Sequence, residues 1–291
     1  MSTIVSSMSE ILRVGGWALR GIGYPFGTAE RGVRLLAWTE ATGGKAIASL
    51  RQAESAVEQS HAAAPCEREG DPVSGRRVHA KGRHLLEIGA PAVDLVTHDA
   101  RHDSAGHVAV DGVFGLGLLP SLANLLAHRK LSGIFIYGAA EADRMPDGWS
   151  RTGWLIVHKA AGGPVFAHGS LADGGGEMLR AALDGTRDDL PPRLPDRALE
   201  DIAAADAARP LGYMGILAVS GAHESMRASL DAVRSRPKDV QLVDFPGRLA
   251  DALRYGVTME ADDLDYLYGL ELRTWAPTSE RSRSQAGYGV Y

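Results

Sequence analysis

The chain has 291 residues, enough for one large domain or two modest ones, and its size supports a full apolar core without metal or disulfide staples. Hydrophobic residues make up 45% and charged residues 23%, the balance of an ordinary globule, and the net charge of −5 gives no overall field for nucleic acid or an anionic membrane. The single cysteine, Cys66, excludes an internal disulfide, a multi-cysteine zinc site and a CxxC redox pair. No apolar run approaches the roughly 20 residues of a membrane-spanning helix, and the first residues lack a basic, then apolar, signal pattern, so the expected location is the cytoplasm.

Taken in order, residues 8–20 read as a helix, because Ile11, Leu12, Ala18 and Leu19 share a face at helical spacing. Gly21 to Gly27 break it, Thr28 is a candidate N-cap for the next helix, and Gly43-Gly44 close that one. A third helix is predicted from Lys45 to about Gln59. Residues 61–84, rich in Gly, Pro and Arg, read as an exposed linker. Beyond it, 85–88, 93–96 and 108–110 look like short strands. The run Asp111-Gly112-Val113-Phe114-Gly115-Leu116-Gly117 then forms a glycine turn ahead of a helix at about 118–131 and a strand at 133–137. Further strands are expected at 155–157, 165–167 and 240–245, helices over most of 171–236, and a helical C-terminal part to Trp275.

Several local patterns invite chemistry. The glycines at 112, 115 and 117 run G-x-x-G-x-G, the reverse of the common dinucleotide fingerprint, and on residue pattern alone they supply a tight turn before a packed helix. His98, His102 and His107 lie among Asp99 and Asp103, but their spacing does not bring three ligands to one face, so no metal is expected. There is no GxSxG or HExxH, and Cys66 has no histidine nearby to activate it. The tail carries Arg273, Ser279, Arg281 and Arg283 close together, guanidinium forks and a hydroxyl suited to an anionic ligand.

In sequence order, GIGYPFGTAERGVRLLAWTEATGG, VDGVFGLGLLPSLANLLAHRKLSGIFIYG, GGPVFAHGSLA, PLGYMGILAV and DFPGRLADALRYGVTMEADDLDYL resemble successive segments of the type-2 malate/L-lactate dehydrogenase superfamily, whose NAD(P)-binding fold is not Rossmann. The two ends are also similar to an uncharacterised bacterial branch of it. The resemblance implies an α/β fold in which a β-rich cofactor lobe is inserted between N- and C-terminal helices that form a second lobe. On that basis 1–60 plus 246–291 make the helical lobe, 61–84 the linker and 85–245 the α/β lobe. It further implies an NADPH- or NADH-dependent reductase of a small 2-oxo or cyclic 2-imino carboxylic acid, acting as a homodimer. The superfamily's proton-donating histidine falls near Lys45, its second histidine has no match, and its cofactor-segment Asp falls at His168. The site implied is Lys45 or Tyr24 as proton donor, Arg20, Arg273, Ser279, Arg281 and Arg283 around the substrate carboxylate, and Gly112, Gly115, Gly117, His168 and Ser170 at the cofactor. Because the histidines are missing, a cofactor-independent lyase, isomerase or cyclase, or a non-catalytic partner subunit, stands as the alternative.

Overall fold

Ser7, in extended conformation, accepts the backbone N–H of Glu10 and starts helix α1 (Met8–Gly21), whose Ile11, Val14, Ala18 and Leu19 are fully buried. A computed structural model describes residues 2–61, 66–141, 143–160, 163–172, 174–187, 190–191, 193–207, 210–220, 228, 231 and 240–275. After α1 come α2 (Phe26–Ala41) and α3 (Ala46–His61), and near the other end α8 (Phe245–Tyr255) and α9 (Ala261–Leu272). Helix α1 packs on α9 and on α2, so the two ends of the chain close one helical layer. A two-stranded ribbon seals it: β1 (Thr3–Ser6) pairs antiparallel with β10 (Val257–Glu260).

The rest is built on one eight-stranded sheet. Its strands are β2 (Glu67–Asp71), β3 (Gly75–His84), β4 (Ala105–Phe114), β5 (Ser132–Gly138), β6 (Thr152–Ala160), β7 (Gly163–Ser170), β8 (Gly212–Val219) and β9 (Gln241–Val243). Their spatial order is β2-β3-β4-β8-β5-β6-β7-β9, and among the described residues β3–β4 is the single parallel pairing in it. In β5, Phe135 and Tyr137 point to one face and Ile134 and Ile136 to the other, and all four are buried, because helices cover both sides. On the first face lie α2, α4 (Leu85–His102) and α5 (Leu119–His128); on the second lie α6 (Gly175–Asp184) and α7 (Arg193–Asp206).

The helical layer and the sheet-based lobe correspond to the expected architecture, with local corrections. Residues 67–84 are no linker: they are the β2–β3 hairpin at one edge of the main sheet. Residues 85–88 and 93–96 are not strands but the first turns of α4, where His84 Nδ1 caps the helix by accepting the N–H of Leu86 and Pro91 is tolerated within it. Within the stretch expected to be mostly helical, 212–219 is the fully buried strand β8. The C-terminal helical part is interrupted by β10, and α2 starts at Phe26, behind Pro25, rather than at a Thr28 cap. Of the histidine group, His98 and His102 lie with tilted rings 4.2 Å apart on α4, whereas His107 is buried on β4. Among the described residues no group of three metal-ligating side chains forms, and no helix is long and apolar enough to cross a membrane.

Candidate active site at the lobe junction

The sheet-based lobe meets the helical lobe where β4 ends. Gly112 takes φ +65° at the irregularity where β4 leaves register with β8, and Gly115 takes φ +85°, a conformation that favours glycine. The open side of Gly115 is filled by the imidazole of His84: a Cβ there would lie 2.3 Å from its Nε2. The open side of Gly117 is filled by the Arg144 carbonyl, 2.3 Å from where a Cβ would stand. These two glycines therefore admit protein groups to the turn.

What the turn holds is the loop after β5, residues 139–141 and 143–151. Asp143, buried, accepts the N–H of Gly115 at Oδ1 (2.6 Å) and that of Ala140 at Oδ2 (3.2 Å). Burial pushes its carboxyl above the usual range, against the pull of those N–H groups. Arg151 donates to the carbonyl of Ala140 and fixes the far side of the loop.

Two contacts tie this region to the helical lobe, and a third lies within that lobe beside them. Lys45, just ahead of α3, lies 3.6 Å from Asp147 Oδ1 in the loop. Arg144 Nε donates to Gln52 Oε1 on α3 at 2.9 Å. Arg248 on α8 donates to the carbonyl of Thr42 at 2.7 Å, beside Gly43. Arg144 and Arg248 thus bond neutral oxygens, and among the described residues neither has a carboxylate partner. Below them, Trp149 stacks on His168 of β7 with ring centroids 4.4 Å apart and on Tyr137 at 6.1 Å. Burial lowers the His168 imidazole to about 4, so it is neutral near pH 7, and it shares a side-chain hydrogen bond with Gln241 of β9.

The remaining expected residues are dispersed. Tyr24 is buried in the core, and burial raises its hydroxyl, with Glu87 adding to the effect. Arg20 sits at the exposed end of α1, its guanidinium 4.6 Å from the Trp17 ring centroid and 5.7 Å from that of Phe26. Arg273 is held by Glu54 (2.7 Å) and Glu58 (3.1 Å) of α3. Ser170 accepts the N–H of Ala172. Ser279, Arg281 and Arg283 lie outside the described residues. So Lys45 and His168 come to the junction, and Arg20 and Arg273 have other partners. Asp143, Arg144, Asp147, Trp149 and Arg248 also stand at the junction and are not singled out by the sequence. The cluster of charged residues with Trp149 between two strands, at 141–151, was the available signal, since loops that carry such side chains at strand ends commonly carry function.

Neither a family model nor a curated protein sequence matches the chain. Its structure, however, aligns with a dehydrogenase from Sinorhizobium meliloti at TM-score 0.62 and 17% identity, over 93% of this chain and 98% of that one. A malate dehydrogenase from Pyrococcus horikoshii aligns at 0.61 and 10% identity, over 93% and 95%. A delta1-piperideine-2-carboxylate reductase from Pseudomonas syringae aligns at 0.56 and 15% identity, over 92% and 99%. The chain has the malate/lactate dehydrogenase-like fold. Coverage of nearly both whole lengths places the lobe junction described above within that fold rather than in an appended segment.

Proposed function

We propose that this chain is an NAD(P)H-dependent reductase of a small 2-oxo or cyclic 2-imino carboxylic acid, with its site at the lobe junction. The observation that carries the reading is the pair of guanidiniums, Arg144 and Arg248, that border the junction without carboxylate partners among the described residues. Together with Lys45 they fit a dinucleotide, whose pyrophosphate requires cations or N–H groups around it. Trp149, half-buried, offers an aromatic face above neutral His168 for a planar ring. When bound, the nicotinamide supplies the hydride; the protein has to orient the acceptor carbon, hold the carboxylate and deliver one proton.

Lys45 is the donor in this reading. It projects from the start of α3 towards the β5–β6 loop, at the position the resemblance gives to a proton-donating histidine, and Asp147 orients its ammonium. Arg273 is a poor carboxylate clamp, because a substrate would have to displace two glutamates at once. The homodimer belongs to the same reading and is checked by light scattering at twice the chain mass.

The decisive experiment is calorimetric titration with NADH and NADPH, followed by nicotinamide fluorescence. Micromolar binding of either is expected and leads to a screen of 2-oxo and cyclic 2-imino acids. Absence of binding at millimolar cofactor overturns the reading and leaves cofactor-free chemistry.

A further inference from the structure

On the opposite face of the sheet, between the β2–β3 hairpin and α7, lies a cleft of about 350 Å³ whose lining includes Gly75, Arg77, His79, His107, Arg197 and Asp201. The parallel register of β3 and β4 puts Arg77 beside Ala109 and His79 beside Asp111, so these side chains and His107 share one face. His107 is 2% exposed. Its Nε2 lies 2.8 Å from Asp201 Oδ2, and the second oxygen of Asp201 accepts the hydroxyl of Tyr213. The backbone makes room for this trio: a Cβ on Gly215 would lie 1.9 Å from the Asp201 carboxylate, and one on Gly75 would lie 2.7 Å from His107 Nδ1.

The trio is incomplete at one atom. His107 Nδ1 is buried and has no hydrogen-bond partner. Buried polar atoms are rarely left so, and an exception calls for a ligand or another explanation. The cations around it differ in how firmly they are held. Arg76 is locked in a two-bond fork to buried Asp99 (2.7 and 3.0 Å) and belongs to the structure. Arg77 has Asp111 at 3.7 Å, longer than a direct charge-assisted bond, and shares that carboxylate with His79 at 2.9 Å. Arg197 bonds the Ser74 carbonyl and Glu200, whose side chain is 54% exposed and can swing into solvent. Glu69 and Glu200 also line the cleft, and among the described residues no group of three metal-ligating side chains forms.

We propose that this cleft is a second ligand site for a small phosphate-type oxyanion, held between Arg77 and Arg197, with one oxygen reaching His107 Nδ1 once the Gly75 turn that covers that atom moves aside. Hydrogen phosphate matches that atom in either state, since its P–OH donates to the neutral nitrogen and its other oxygens accept from a protonated one. Arginine forks match its remaining oxygens. The site is separate from the lobe junction and does not depend on the reductase reading.

The test is titration of the apo protein, labelled with ¹⁵N in its histidine side chains, with inorganic phosphate at constant ionic strength. A saturable shift of the His107 ring resonances at millimolar phosphate is expected. Arg77→Ala and Arg197→Ala, both at partly exposed positions that should preserve the fold, are each expected to weaken the effect about tenfold, the worth of one charge-assisted bond. The absence of a saturable shift by about 50 mM phosphate, the millimolar range of weak anion sites, would overturn the proposal. So would equal affinity in the wild type and both folded variants.

Discussion

Gly115 and Asp143 are joined across 28 residues of sequence by a 2.6 Å bond from backbone N–H to carboxylate, and that bond fixes the β5–β6 loop to the glycine turn. Asp143→Ala leaves the N–H groups of Gly115 and Ala140 buried without acceptors, and two such losses cost about 3 kcal/mol. Urea unfolding should show that loss with an unchanged m-value. Stability within about 0.5 kcal/mol of wild type would mean that the loop is held by its other contacts, since changes of that size are typical of neutral surface sites.

Glu40 makes stability depend on pH in a direction opposite to that of a paired surface carboxylate. It is buried at the junction of α2 and α3, where Oε1 accepts the N–H of Ile47, and burial raises its carboxyl to about 8 from an ordinary value of 4.5. The folded state therefore keeps a proton that the unfolded chain releases. This contribution is fully present below about pH 4.5 and is lost as pH rises towards 8. Glu40→Gln keeps the acceptor and removes the titration. Relative to the variant, the wild type should lose about 1 kcal/mol per pH unit in the middle of that window. A constant difference in denaturation midpoints across the window would show that Glu40 is ionised in the fold.

The helices α1 to α3 and the turn at 111–117 were legible because their apolar spacing and glycine stops act locally. The β2–β3 hairpin was not. Every residue of β2, the edge strand, is exposed and β3 carries Arg76, Arg77 and Arg83, so no apolar alternation marks either strand. Conversely, β8 is buried on both faces, and its continuous apolar run cannot be told from a helix by period. In α4 the β-branched residues and Pro91 argued for strands, and packing against β4 and α2 overrode them. Of the site, Lys45 and His168 were accessible through the resemblance. Arg144, Trp149 and Arg248 were not, because a loop and a helix distant in sequence converge on α3 and the end of α2 only in the fold.

The junction guanidiniums give a prediction about salt. If Arg144 and Arg248 hold the dinucleotide phosphates, Arg144→Ala and Arg248→Ala should each weaken NAD(P)H binding roughly tenfold and flatten its dependence on ionic strength. Arg248→Ala should also destabilise the fold slightly, because it loses the bond to Thr42. Calorimetry at two salt concentrations separates these effects. Unchanged affinity in both variants would move the phosphates elsewhere.

Lys45 is tested by separating its charge from its proton. Its ammonium stands 3.6 Å from Asp147 and about half exposed, so removing it leaves no buried group unpaired and the fold should persist. Lys45→Arg retains the positive charge but cannot release a proton near neutral pH. The variant should therefore bind NAD(P)H within about threefold of wild type, while kcat falls by about 10²-fold or more, the usual contribution of a positioned proton donor. Lys45→Met should lose both affinity and kcat. If Lys45→Arg turns over at the wild-type rate, the ammonium serves only to attract the anionic ligand, and the proton comes from solvent or another group at the junction.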